Sequence, residues 1–147
     1  MNRTRATSVI LLGPGFDALL AVASIKQLRE TGIAVLVVGQ TAGFIRDING
    51  IFVRPEKSLS DITSRSTRKL LLLPGGKAYV STLLTDPRVH HLFNSIVNNQ
   101  GFIIVSNEAK PLLAEIEGKR PLAQVCFTFQ KTEENNTISP ELINLLI

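Results

Sequence analysis

Four uninterrupted apolar runs, Val9 to Leu12, Ile33 to Val38, Leu70 to Leu73 and Phe102 to Val105, most constrain what this chain can fold into. A strand with one face in water alternates apolar and polar residues. A strand written as a continuous Val/Ile/Leu run is buried on both faces, as in a parallel sheet covered by helices. Segments with helical spacing separate the runs. Asp17 to Thr31 carries Leu20, Ala23, Ser24, Gln27 and Leu28 and stops at Gly32. Lys77 to Leu84 follows the third run, and after it comes a helix opened by Asp86 as cap and Pro87 in its first turn, running to about Asn98 and ended by Gly101. Ala109 to Glu117 reads as a helix closed by Gly118, and Leu122 to Phe129 as another strand. Between these lie a short strand at Ile51 to Pro55, a turn of helix at Ser58 to Ile62 and an exposed polar stretch at Ser64 to Arg68. Gln130 to Thr137 reads as a polar connection, and Ser139-Pro140-Glu141 opens the last helix. The alternation predicts an α/β three-layer sandwich with a mostly parallel central sheet, flavodoxin-like, as one domain over 1–147, with right-handed crossovers.

Composition excludes several classes. The formal charge is +4, but the positive residues form no track and no aromatic residues interleave with them as stacking platforms, so no nucleic-acid partner is expected. The single cysteine, Cys126, rules out a disulfide framework within the chain and a multi-cysteine metal site, and inside a strand it acts as a small hydrophobe. The apolar stretch before Gly13 is too short for a signal peptide core or a membrane span. A cytoplasmic protein without a membrane partner is the expectation.

Two turns carry chemistry. Gly13-Pro14-Gly15-Phe16-Asp17-Ala18 fits the G-x-G-x-x-A form of a dinucleotide turn between strand and helix. The second strand, however, ends Val38-Gly39-Gln40-Thr41 with no acidic residue for a ribose, and Pro14 removes a backbone donor. A tight βα turn is the better reading, with nucleotide binding the minority one. Asp17 suits either an acid/base role at the carboxyl edge of the sheet or, preferably, a helix cap. His90 and His91 are adjacent on a helix and point apart, so no metal site is expected. Leu73-Pro74-Gly75-Gly76 closes one buried strand, and Ser106 follows another just before a helix-like segment. A glycine turn beside such an elbow is how several α/β folds set a nucleophile next to backbone N–H donors.

On three segments the chain resembles the ThiJ/PfpI superfamily, with its class I glutamine amidotransferase-like fold. They are Val9-Ile10-Leu11-Leu12 with Gly15-Phe16-Asp17 and the helix to Gly32, the turn Leu71 to Gly76, and the elbow Ile103 to Gly118 with Leu112-Leu113-Ala114. The resemblance covers about 8–129 and leaves a divergent tail at 130–147. It implies an elbow cysteine followed by any residue and a glycine, a nearby histidine, and a glutamate from the first strand-helix turn. Here Ser106 falls on the cysteine, Asn107 on the next position and Glu108 on the glycine, while the glutamate falls near Leu20, one turn beyond Asp17. Relatives commonly associate, which implies a homodimer.

The thiol chemistry of the superfamily therefore does not carry over. The primary expectation is a noncatalytic binding or interaction module without a cofactor, with Gly75, Gly76 and Asn107 facing any small-molecule ligand and Ser106, Asp17 and Glu108 as a vestigial site. The alternative is a hydrolase using Ser106, with the Gly75 and Gly76 amides as oxyanion donors and Asp17 or Glu108 assisting. That reading requires a base within hydrogen-bond reach of Ser106. A third alternative is nucleotide binding through Gly13 to Ala18.

Overall fold

The computed structural model describes residues 7–62, 68–115, 125–131 and 136–146. The apolar runs become the strands of a six-stranded parallel sheet in the order β5-β2-β1-β6-β7-β8. These strands are β1 (Thr7–Leu12), β2 (Ala34–Gly39), β5 (Lys57–Ser58), β6 (Arg68–Leu72), β7 (Phe102–Val105) and β8 (Cys126–Thr128). In the two central strands burial does not alternate: Val9 to Leu12 and Leu70 to Leu73 are all at most 1% exposed. Both faces are covered, as the continuous runs require.

Helix α1 (Ala18–Glu30) connects β1 to β2, and α2 (Lys77–Leu83) with α3 (Pro87–Asn98) connects β6 to β7. The first crossover moves one way along the sheet and the second the other way. With right-handed connections this places α1 on one face and the α2–α3 pair on the opposite face, and it makes the gap between β1 and β6 the topological switch point. Helix α4 (Pro140–Leu146) ends the described chain and buries Leu142, Ile143 and Leu146.

Four local expectations are corrected. The end of α3 is not made by Gly101. Gln100 takes the left-handed conformation (φ 59°), its N–H bonds the Val97 carbonyl, and the Gly101 N–H bonds the Ile96 carbonyl. This is the two-bond Schellman closure, shifted so that the glycine falls where a Cβ would stand 2.6 Å from the Lys69 carbonyl oxygen. Arg68 is not exposed but 6% accessible and opens β6, while 63–67 lie outside the described residues. The segment after Ser106 is a 3₁₀ helix over Lys110–Glu115, and 116–124 lie outside the described residues. The polar stretch after Phe129 contains a hairpin, β9 (Gln130–Lys131) paired antiparallel with β10 (Asn136–Thr137). The Gln27 side chain pairs with both backbone groups of Ile138, at 2.8 and 2.9 Å, and fixes this segment to α1.

A second hairpin lies between β2 and β5, formed by β3 (Ile45–Arg46) and β4 (Phe52–Val53). The Ile51 to Pro55 segment anticipates its second strand only. No helix among the described residues is long and apolar enough to cross a membrane.

Asp86 caps α3 as its sequence position requires, accepting from the Arg88 amide at 2.9 Å. It also takes both Nε and Nη2 of the Arg88 guanidinium, at 3.2 and 2.8 Å, and the Gln40 side chain at 3.3 Å. These bonds, Arg88 first, hold its carboxyl at about 2, against an ordinary 3.8. A depressed carboxylate stabilises the fold above its unfolded pKa and loses that contribution as pH falls through the folded one. Asp86→Asn is expected to lower stability by about 1 kcal/mol at neutral pH. In urea titrations the gap between the two proteins should be constant above about pH 4 and close by about pH 2.

Candidate functional site

Strand β6 delivers the Leu73-Pro74-Gly75-Gly76 turn to the carboxyl edge of the sheet, and β7, its neighbour, delivers Ser106 to the same edge. The Leu73 N–H continues the ladder to the Ile104 carbonyl at 2.9 Å. On the other side of β6, the Asp17 N–H bonds the Pro74 carbonyl at 2.8 Å, joining the first βα turn to the Leu-Pro-Gly-Gly turn. The fold thus gathers the candidate residues Asp17, Gly75, Gly76, Ser106, Asn107 and Glu108 along one edge.

Their geometry is specific. The Ser106 carbonyl accepts from the Ala109 and Lys110 amides, both at 3.1 Å, which closes the bend. The only non-glycine residue with positive φ among the described residues is Gln100, so Ser106 turns in ordinary backbone, without the strain of a nucleophile elbow. Its Oγ is buried and has no hydrogen-bond partner among the described residues. Glu108 folds back toward α2, and its Oε1 accepts from the Lys77 amide at 3.2 Å. Asn107 is exposed beside it.

The two glycines of the turn are glycines for different reasons. A Cβ on Gly75 would collide with the ring of Tyr79, and a Cβ on Gly76 would collide with the Glu108 carboxylate. Tyr79 is 2% exposed and donates its hydroxyl to the Leu11 carbonyl in β1, and burial holds its ionisation well above the ordinary value. Nothing in the sequence marks Tyr79 for this role beyond its helical spacing from the turn.

Asp17 takes the capping role, its Oδ1 accepting from the Leu20 amide at 3.1 Å. Sequence reasoning missed its partner, Asp47. This carboxylate is 3% exposed and accepts from the Ile51 amide at 2.8 Å, Asn49 at 2.9 Å and Ala18 at 3.3 Å. Burial alone would raise its carboxyl, but the backbone donors outweigh burial and lower it. Asp47 therefore shapes the β3–β4 hairpin and seats it on the first turn of α1.

The dinucleotide-like turn has its amides directed inward. Gly15 N–H bonds the Arg46 carbonyl, Phe16 bonds Gly13, Asp17 bonds Pro74, and Ala18 and Leu20 bond the two aspartates. Those donors are unavailable to a pyrophosphate. Cys126, in β8, is buried, and burial pushes its thiol up to about 11 despite the opposing charge of Lys110. His90 and His91 are both exposed. Among the described residues no group of three or more His, Cys, Asp or Glu is placed to hold a metal ion.

The family model for the DJ-1/PfpI family matches residues 6–126. No curated protein matches the chain. Among solved structures, it is similar to Drosophila melanogaster DJ-1beta, with 18% identity over 97% of this chain and 86% of that chain and a TM-score of 0.71. It is similar to a cysteine-to-alanine mutant of a DJ-1 superfamily protein from Salmonella typhimurium, with 16% identity over 96% and 84% and a TM-score of 0.67. Oxidized Toxoplasma gondii DJ-1 gives 16% identity over 75% of this chain and 60% of that chain, with a TM-score of 0.67. At these identities the likeness is one of fold.

The contrast between the two glycines is testable. Gly75→Ala drives a methyl group into a packed ring and is expected to destabilise the protein by about 1–3 kcal/mol. Gly76→Ala meets only the end of a flexible carboxylate. It should cost less than about 0.5 kcal/mol and displace Glu108, read as a shift of the Lys77 amide resonance.

Proposed function

The chain belongs to the DJ-1/PfpI family, and from that premise we propose that it is a noncatalytic member, a small-molecule binding or protein-interaction module that works as a homodimer. The observation that carries this reading is the buried, unpartnered Ser106 Oγ. A serine hydroxyl attacks only when a base takes its proton, and such a base must lie within hydrogen-bond reach. None of the described residues does. Glu108, the nearest candidate in sequence, is turned toward the Lys77 amide, and Asp17 is turned toward Leu20.

The glutamate supports the reading a second way. A hydrolase using Ser106 would direct backbone N–H groups at the start of α2 toward a developing oxyanion. Here a carboxylate of the chain already accepts from that start. Cys126 offers no substitute, since a thiol at about 11 carries almost no thiolate at neutral pH. A lone buried cysteine suits a reducing compartment, and we place the protein in the cytoplasm.

The homodimer reading draws on an exposed apolar surface. Leu19 and Val22 on α1 are 75% and 64% exposed. On and beside the β3–β4 hairpin, Phe44, Ile48 and Phe52 are 67%, 67% and 64% exposed. The bonds from the Ile48 amide to the Phe16 carbonyl and from the Ala18 amide to Asp47 bring this hairpin against the start of α1. Contiguous apolar surface of this kind marks an interface, and a two-fold axis would bury the same patch on both copies.

Three measurements test these proposals. A fluorophosphonate probe should leave Ser106 unlabelled, and labelling that disappears in Ser106→Ala would establish the hydrolase instead. In Ser106→Cys the new thiol should titrate near about 8.5, whereas a value depressed by several units would show that the electrostatic setting for catalysis survives. Light scattering on a sizing column should report a dimer for the native chain and a monomer for Val22→Glu combined with Phe52→Glu; a native monomer refutes the association.

A further inference from the structure

A groove of about 210 Å³ runs along α3 on the side facing the Leu59–Asp61 turn, and none of its lining comes from the bend at Ser106. We propose that this groove binds a small organic oxyanion: a phosphate monoester on a single ring or short alkyl body.

Its two halves differ in chemistry. Leu59, Ile62 and Leu92 supply an apolar wall. Arg68, Arg88, His91 and Ser95 supply the polar side, and no carboxylate is among the described residues that line it. Arg88, His91 and Ser95 follow one another at helical spacing along α3, so three polar groups face the same channel. Beside them stands Arg68, a cation only 6% exposed.

The cations are held in place. Arg88 spends four of its five N–H donors inside the protein: Nε and Nη2 on Asp86, Nη2 again on the Gln40 carbonyl, and Nη1 on the Ser60 hydroxyl at 3.0 Å. One Nη1 hydrogen remains for a ligand. Arg68 also makes an interaction of its own within the protein. Asp86 balances the charge of Arg88 alone, which leaves the positive charge of Arg68 facing an apolar wall. In a site partly shielded from water such a charge attracts an anion more strongly than it would at the open surface. A ligand oxygen can also accept from the Ser95 hydroxyl and from an N–H of the His91 ring.

Size narrows the ligand. The volume corresponds to about seven water molecules at their share of the liquid, about 30 Å³ each. That admits a phenyl ring or short chain and falls short of the roughly 300–1,000 Å³ of pockets that enclose larger ligands. A nucleotide does not fit, in keeping with the inward-facing amides of the Gly13 to Ala18 turn.

The test is a ¹H–¹⁵N titration of the full chain with phenyl phosphate. Saturable shifts are expected at 59–62 and along α3 from Arg88 to Ser95. Benzyl alcohol, which lacks the charge, and inorganic phosphate, which lacks the apolar body, should each bind at least about tenfold more weakly. Ser95→Phe fills the groove from a partly exposed position on α3 and should weaken phenyl phosphate at least about tenfold with the remaining spectrum unchanged. Arg68→Met tests the cation directly, and the Ser95 variant stands in for it should the Arg68 variant fail to fold. Absence of shifts in the groove, or affinity undiminished in the folded variants, overturns the site. Equal binding of benzyl alcohol overturns the anion, and equal binding of inorganic phosphate overturns the organic body.

Discussion

One backbone hydrogen bond, from the Asp17 N–H to the Pro74 carbonyl, holds the carboxyl edge of the sheet in its present form. Strands β1 and β6 are neighbours whose chains depart in opposite directions, so topology alone would open a crevice between them. The bond closes that crevice at the level of the backbone. It also fixes where the helices begin, and each of α1, α2 and α3 begins on a carboxylate of the chain itself. Asp17 and Asp47 serve α1, Glu108 serves α2, and Asp86 serves α3. A helix start carries about half a positive charge and up to four unbonded N–H groups, which is why such edges collect anionic ligands. Here the protein provides the anions, and the edge is liganded from within.

That arrangement explains why the remaining cationic groove lies elsewhere. Arg88 is drawn to Asp86 at the start of α3, and its guanidinium then reaches across to Gln40 and Ser60, bridging the end of β2 to the turn after β5. The bridge holds that turn away from α3 and leaves a channel along the helix. A structural ion pair at one end of α3 thereby creates an open surface farther along it, and Arg68 emerges into that surface from the first position of β6.

Much of this was legible from local pattern, and the rest was lost for a common reason. Burial on both faces is written into residues such as Leu70 to Leu73, and the Asp86-Pro87 pair states its own cap, so strands and helices follow from neighbours in sequence. The resemblance on Leu73-Pro74-Gly75-Gly76 and the bend at Ser106 located the edge because both lie at the ends of adjacent strands. What pattern does not carry is contact at a distance. Asp47 reaches Ala18 across 29 positions and Glu108 reaches Lys77 across 31, so neither carboxylate announces its partner. The Asn49-Gly50 pair is a hairpin signal that was available, but strands of two residues show no periodicity to accompany it. Gln100 takes a conformation that sequence assigns to glycine, because packing against Lys69 claims the glycine one position later. Arg68 follows a polar stretch and reads as exposed until the groove above it is seen.

The same distinction separates what the family framework demands here from what it does not. The Pro74 carbonyl is taken by Asp17, Gly75 is required by Tyr79, and Tyr79 is bonded to the centre of β1, so the Leu-Pro-Gly-Gly turn is a requirement of the core. Its presence says that the sheet is built correctly and nothing about reactivity. Ser106 and Glu108 stand under no such demand. The Ser106 hydroxyl leaves a buried polar group unmatched, a penalty on the order of 1–3 kcal/mol, and the Glu108 carboxylate is exposed. Neither side chain is what packing alone would select, and neither is assembled into a working pair. A scaffold whose turn is fixed by its core can lose the chemistry at the adjoining bend without losing its fold.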